Sequence, residues 1–202
     1  MLETLDRTGF LERMMRSANG GPMTVASVDI DRFGSINETF GRDAGDGVIA
    51  HVADSLFDAV VGHGFVARTG GDAFAACLPA VGPEWALLLL DVARRRVSIE
   101  PLVVSGHKIG LTISIGIASF PQHVEDASAL LEAADQALHR AKTEGRDQVA
   151  IWVEEKMILK SNYYPRAQLA KLSKLAAVQH RAEAAVLREA LDGYLDQHLD
   201  QL

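Results

Sequence analysis

Two short apolar runs, residues 65–68 and 73–78, are separated only by Thr69-Gly70-Gly71-Asp72, and this spacing constrains the fold more than any other feature of the chain. Glycine reaches positive φ without steric cost, so a Gly-Gly pair between two such runs reads as an antiparallel hairpin. Around it, helical and extended patterns alternate. Apolar residues at helical spacing (Leu2, Leu5, Phe10, Leu11, Met14, Met15) mark a helix over 2–18, which Gly20-Gly21-Pro22 stops. A strand over 23–31 comes next, then a helix over 44–61 with Val48, Ile49, Val52, Leu56 and Val60 on one face. After the hairpin come a helix over 83–97, a strand over 111–118, a helix over 127–143 and a closing strand over 148–153. The fold expected for residues 1–154 is therefore α/β: an α+β sandwich whose central sheet contains antiparallel strands and is flanked by helices.

Charge separates this domain from the remainder of the chain. The 202 residues together carry a formal charge of −7, which argues against a dedicated nucleic-acid binder if taken as one number. Residues 1–154 hold 13 basic and 21 acidic residues, whereas 155–202 hold 7 and 6. Within that tail, 155–181 has 6 basic residues and 1 acidic, and 182–202 has 1 basic and 5 acidic. Such patterning marks a second module over 155–202, expected to be small and helical.

The single cysteine, Cys77, excludes an intramolecular disulfide, and its apolar surroundings point to a buried structural thiol. The longest apolar run, 85–90, is far too short for a bilayer span. The opening residues lack a charged segment followed by an apolar core, so a cytoplasmic location without membrane contact is expected.

Two features of the first domain carry chemistry. Asp29-Ile30-Asp31 ends an apolar strand, and Asp72 sits in the hairpin. If those strands are neighbours, Asp29 and Asp72 converge, and paired carboxylates on rigid backbone suit Mg²⁺ held against nucleotide phosphates. Taken singly, Asp29 reads as a helix cap and Asp72 as a turn residue.

Five blocks in order resemble the GGDEF-domain family of diguanylate cyclases across residues 1–154. They are Leu5-Asp6-Arg7-Thr8-Gly9-Phe10-Leu11; the segment from Asp29-Ile30-Asp31-Arg32-Phe33 through Ile36-Asn37 and Phe40-Gly41 to Gly45-Asp46; Arg68-Thr69-Gly70-Gly71-Asp72-Ala73-Phe74; residues 112–118; and the stretch from Asp135-Gln136-Ala137-Leu138 through Ala141-Lys142 to Gly145-Arg146. The resemblance implies a nucleotidyl-cyclase, palm-like sheet. It also implies a homodimer in which two domains, each holding one GTP, make cyclic di-GMP. It would make Asp29, Asp72 and the Ile30 carbonyl the Mg²⁺ ligands, with Asp72 at the signature position of the catalytic centre. Phe33, Asn37 and Asp46 would bind substrate, the last two reading guanine, whose edge mixes donors and acceptors. Lys142 and Arg146, spaced i, i+4 near a helix end, would grip the terminal phosphates, although the helix dipole alone also favours basic residues there.

The departures point the other way. Ala73 stands where the family has its acidic fourth signature residue, and Gly34 where it has a basic one. The family's inhibitory Arg-x-x-Asp falls on Val61-Gly62-His63-Gly64, so that site is absent. Losing a preorganised electrostatic group typically costs roughly 10²–10³ in rate. The reading is a degenerate domain that binds GTP and Mg²⁺ as a regulatory module in cyclic di-GMP signalling, with little or no cyclase activity. An active cyclase, with water or Asp31 replacing the missing glutamate, and an empty structural scaffold remain as alternatives.

In the tail, a helix opening at Pro165 presents Leu169, Leu172, Leu175 and Ala176 on one face. After Gln179-His180-Arg181, a second helix over 182–197 is expected to turn Val186, Leu187, Ala190, Leu191, Tyr194 and Leu195 inward. With a strand over 157–164, this order resembles the ribbon-helix-helix DNA-binding family, with Pro165, Leu169, Leu172, Leu175, Ala176, Arg181 and Leu187 at matching places. The resemblance implies a dimer contacting DNA through residues 155–197, with Lys160, Ser161 and Tyr163 towards bases. A plain helical hairpin that dimerises, or packs on the first domain, is the alternative.

Overall fold

The computed structural model describes residues 3–18, 21–104, 107–154, 163–179 and 181–198. These form two units, 1–154 and 155–202.

In the first unit, strand β2 (Met23–Ile30) lies at the centre, antiparallel to both β4 (Ala73–Pro79) and β7 (Ile113–Phe120). Strand β3 (Phe65–Arg68) runs antiparallel beside β4. The edges are β1 (Glu3–Thr4), parallel to β3, and β8 (Val149–Ile151), parallel to β7, which gives the order β1-β3-β4-β2-β7-β8. The alternation of side chains along β2 divides the core. Ala26, Val28 and Ile30 pack against helices α3 (Arg42–Val60) and α4 (Pro83–Ile99). Met23 and Val25 face α1 (Arg7–Ala18) and α5 (Leu130–Thr143) on the opposite side. The α+β sandwich expected from the patterning is present. On the second face α5 lies so close to β7 that a Cβ at Gly116 would come within 2.0 Å of the Leu138 nitrogen. Cys77 is buried here, and burial pushes its thiol up to about 12.

Three local expectations need correction. The opening helix starts at Arg7, not residue 2, because the Asp6 carboxylate accepts from Gly9 N–H at 2.7 Å and caps it; Glu3–Thr4 pairs with β3 instead. An unforeseen helix, α2 (Phe33–Phe40), precedes α3, divided from it by Gly41 at φ 85°. A separate hairpin, β5 (Leu102–Val104) with β6 (His107–Ile109), lies between α4 and β7.

The second unit holds two helices, α6 (Arg166–Val178) and α7 (Glu183–Asp196). Both match the expected spans. The expected strand over 157–164 falls almost wholly outside the described residues. The inward face assigned to the second helix is not buried: Leu187 is 37% exposed, Leu191 58%, Tyr194 62% and Leu195 39%. Two short helices cannot enclose their own apolar stripes, and only Ala176 and Val186 are buried among the described residues of this unit.

Candidate active site

The site grows from the register of β2 and β4. Asp29 lies opposite Ala73, so the Asp72 backbone ends the hairpin beside the carboxyl end of β2, and Ile30 N–H donates to the Asp72 carbonyl at 3.3 Å. The strands bearing Asp29 and Asp72 are thus neighbours, the condition on which their convergence depends. The hairpin turn is braced by Arg68, whose Nε and Nη2 donate to the Gly71 carbonyl at 3.0 and 2.6 Å. Asp29 caps no helix, since α2 begins after Arg32, which lies in left-handed conformation and makes no side-chain cap.

Asp29 points to the α5 face, where Lys142 Nζ meets its Oδ1 at 2.8 Å. Burial raises the Asp29 carboxyl above the usual carboxylate range, and the charges of Asp72 and Asp31 push the same way, while Lys142 opposes them. Two carboxylates that repel across a strand pair, with a backbone carbonyl at Ile30 between them, make a hard-oxygen donor set. They form no complete protein cage: among the described residues no cluster of three His, Cys, Asp or Glu side chains could hold a metal. That incompleteness fits Mg²⁺, which keeps waters and substrate phosphates among its ligands.

Asp31 has a different task. Its carboxylate, 6% exposed, accepts from Thr112 Oγ1 and Ser114 Oγ, both at 2.7 Å, and from Asp147 N–H at 3.1 Å. The idea that it replaces the missing glutamate is corrected by this engagement: three donors already fill it, and they tie β2 to β7 and to the loop after α5. Sequence spacing hid this role because all three donors are more than 80 residues away.

Asn37 and Asp46 come together through a glycine. Asn37 on α2 lies directly over Gly45 at the start of α3, where a Cβ would fall 1.9 Å from Asn37 Oδ1, with Phe33 3.2 Å away on the same spot. Asp46 is the next residue and is exposed. Gly45→Ala is accordingly expected to displace the Asn37 amide and weaken nucleotide binding about 3- to 10-fold, the worth of one net hydrogen bond, while leaving the melting temperature nearly unchanged. Titration calorimetry and a thermal melt read the two quantities separately.

Lys142 and Arg146 do not share a helix. The helix α5 ends at Thr143, and Arg146 N–H bonds the Ala141 carbonyl at 2.9 Å across Gly145, the signature of a Schellman stop, so their i, i+4 reading is corrected. Gly145, Arg146 and Asp147 all have positive φ, and the loop is held by Asp147, whose carboxylate meets Arg94 Nη1 at 2.6 Å. Arg146 borders an open cleft of about 440 Å³ between α2, residues 110–112 and this loop, together with Arg32, Ser35, Thr39, Phe40 and Thr112. Neither Arg32 nor Arg146 makes an ion pair with a described residue. No spacing or motif in the sequence singles out Arg32; its left-handed backbone is the feature that sets it apart.

Of the three residues expected to face DNA, Lys160 and Ser161 lie outside the described residues and Tyr163 is fully exposed. Among the described residues no helix is long and apolar enough to cross a membrane.

Comparisons with known proteins agree with this geometry. A family model described as diguanylate cyclase, GGDEF domain, matches residues 7–148. Diguanylate cyclase DgcP of Pseudomonas aeruginosa is 38% identical over 136 residues, covering 67% of this chain and 20% of that protein. Among solved structures, the GGDEF domain of YfiN (TpbB) from Pseudomonas aeruginosa superposes with a TM-score of 0.70 at 30% identity, covering 75% of this chain and 98% of that one. The GGDEF domain of DgcB from Caulobacter crescentus, in complex with c-di-GMP, gives a TM-score of 0.70 at 27% identity over 76% of this chain and 91% of that one. The chain spans from 20% to 42% of the length of the curated relatives it matches.

Proposed function

Because the chain belongs to the GGDEF-domain family, we propose that it binds GTP with Mg²⁺ as a regulatory module of cyclic di-GMP signalling and turns over little or none of it. The observation carrying this reading is the pairing of Asp29 with Ala73. The position opposite the metal-facing carboxylate, on the same face of the sheet, holds a methyl group where the family has a carboxylate. The groups for binding remain. Asn37 and Asp46 would read guanine, with Phe33 beside them. Lys142 and Arg146 would take the phosphates, joined by Arg32. Asp29, Asp72 and the Ile30 carbonyl would hold Mg²⁺, which supplies charge neutralisation at the phosphates when bound.

Incubating the chain with GTP and Mg²⁺ and quantifying cyclic di-GMP by chromatography tests the reading. Little or no product is expected. Abundant product would favour the active cyclase, to which the retained Asp29 and Asp72 lend support. The tail serves as an association module that couples two such domains. DNA binding by the same tail draws support from α6, which carries Arg166, Lys171 and Lys174 and no acidic residue. Strongly salt-dependent binding to duplex would mark that role.

A further inference from the structure

The exposed apolar face of the tail has charge written along it. Helix α6 carries three basic residues and no acidic one, whereas α7 carries four acidic residues and a single arginine. Between those charges lie Leu169 (40% exposed), Leu175 (46%), Leu187 (37%), Leu191 (58%) and Leu195 (39%). A unit of 48 residues with no cysteine and two buried apolar side chains among those described is too small to stabilise itself by its own core. Units of this size generally need a disulfide, a metal or a partner. The links between α6 and α7 within one chain are polar and local: Ser173 Oγ donates to Glu183 at 2.5 Å, and Arg181 pairs with Glu189.

We propose that this face is covered by the same face of a second copy of the chain, forming a four-helix bundle. The basic α6 of each protomer lies along the acidic α7 of the other, and the leucine stripes close between them. The proposal deepens the reading of the tail as an association module and names its partner; it is independent of whether the first unit binds GTP. The arrangement is self-complementary. A two-fold axis places each basic helix against an acidic one twice, whereas a partner of uniform charge would satisfy only one of the two helices. A tail dimer also tethers two nucleotide-binding units, converting their encounter into an intramolecular one at raised effective concentration.

Sedimentation velocity on the full chain tests this, with helicity by circular dichroism and GTP affinity by calorimetry as companions. The wild-type chain is expected to sediment as a dimer whose dissociation constant rises with salt. Leu175→Asp with Leu191→Asp alters exposed positions only, and is expected to weaken the dimer about 10²-fold or more while helix content and GTP affinity per protomer stay unchanged. Lys171→Glu with Lys174→Glu should also yield monomers. That variant should recover a dimer when mixed with a chain bearing Glu183→Lys and Asp196→Lys. A monomeric wild type would overturn the proposal, as would a dimer that survives Leu175→Asp with Leu191→Asp. So would charge variants that dimerise normally and lose only duplex-DNA binding. None of these outcomes bears on the nucleotide site, whose failure would appear as absent GTP binding in an intact dimer.

Discussion

Replacing Ala73 with glutamate is expected to raise cyclic di-GMP production from GTP by about 10²–10³-fold, the usual worth of one preorganised group aimed at developing charge. The effect comes from register. Residues directly opposite in an antiparallel pair project on the same face with Cβ atoms about 4.5–5.5 Å apart. A carboxylate at 73 therefore stands beside Asp29, on the side of the sheet where Lys142 lies. The Ala73 side chain is only half-buried, so the longer chain has room. Without Mg²⁺ the third carboxylate joins a site where Asp72 and Asp31 already raise the Asp29 carboxyl, so Ala73→Glu is expected to lower the melting temperature slightly. Mg²⁺ should restore it, because a cation that binds only the folded state stabilises that state. Unchanged turnover in a variant that still binds GTP would mean that the loss of activity lies elsewhere, with Gly34 the next position to restore.

Removing the Asp31 carboxylate is expected to destabilise the first unit by about 3 kcal/mol or more. Asp31→Ala leaves two hydroxyls and a backbone N–H without their acceptor in the interior, and an unsatisfied buried polar group costs roughly 1–3 kcal/mol. Domains of ordinary stability have about 5–15 kcal/mol in all, so the change should be plain in urea denaturation. Asp31→Asn keeps one acceptor oxygen and should cost less. A double-mutant cycle with Ser114→Ala should show strong coupling, since the two side chains share one hydrogen bond. If Asp31 instead substituted for the absent glutamate, Asp31→Asn would abolish turnover while leaving stability intact. The account predicts the reverse ordering of the two effects.

Much of this site is legible in the sequence because its central features are local. The Gly70-Gly71 turn and the two aspartates at 29 and 31 sit at strand ends set by period-two patterns, and Asn37 and Asp46 flank one tight connection. Helix α2 was not legible: Phe33–Phe40 holds glycine, serine, asparagine and threonine, poor helix formers, and begins without a side-chain cap. Arg146 misled for a related reason. Its spacing from Lys142 suits a helix, but Gly145 ends that helix and turns Arg146 onto a cleft that no spacing rule reveals. The true role of Asp31 depends on partners distant in sequence, which only the folded sheet brings together. In the tail, periodicity identified which faces are apolar, yet whether a face is buried depends on what meets it.

The central claim is a retained nucleotide site without turnover, and a calorimetric titration of GTP into the chain with Mg²⁺ present tests it most directly. The account predicts one saturable site per protomer, weakened about tenfold or more by Asp46→Ala, with heat that returns to baseline after each injection. The absence of any binding heat, or a continuing heat flow accompanied by accumulating cyclic di-GMP, would contradict it.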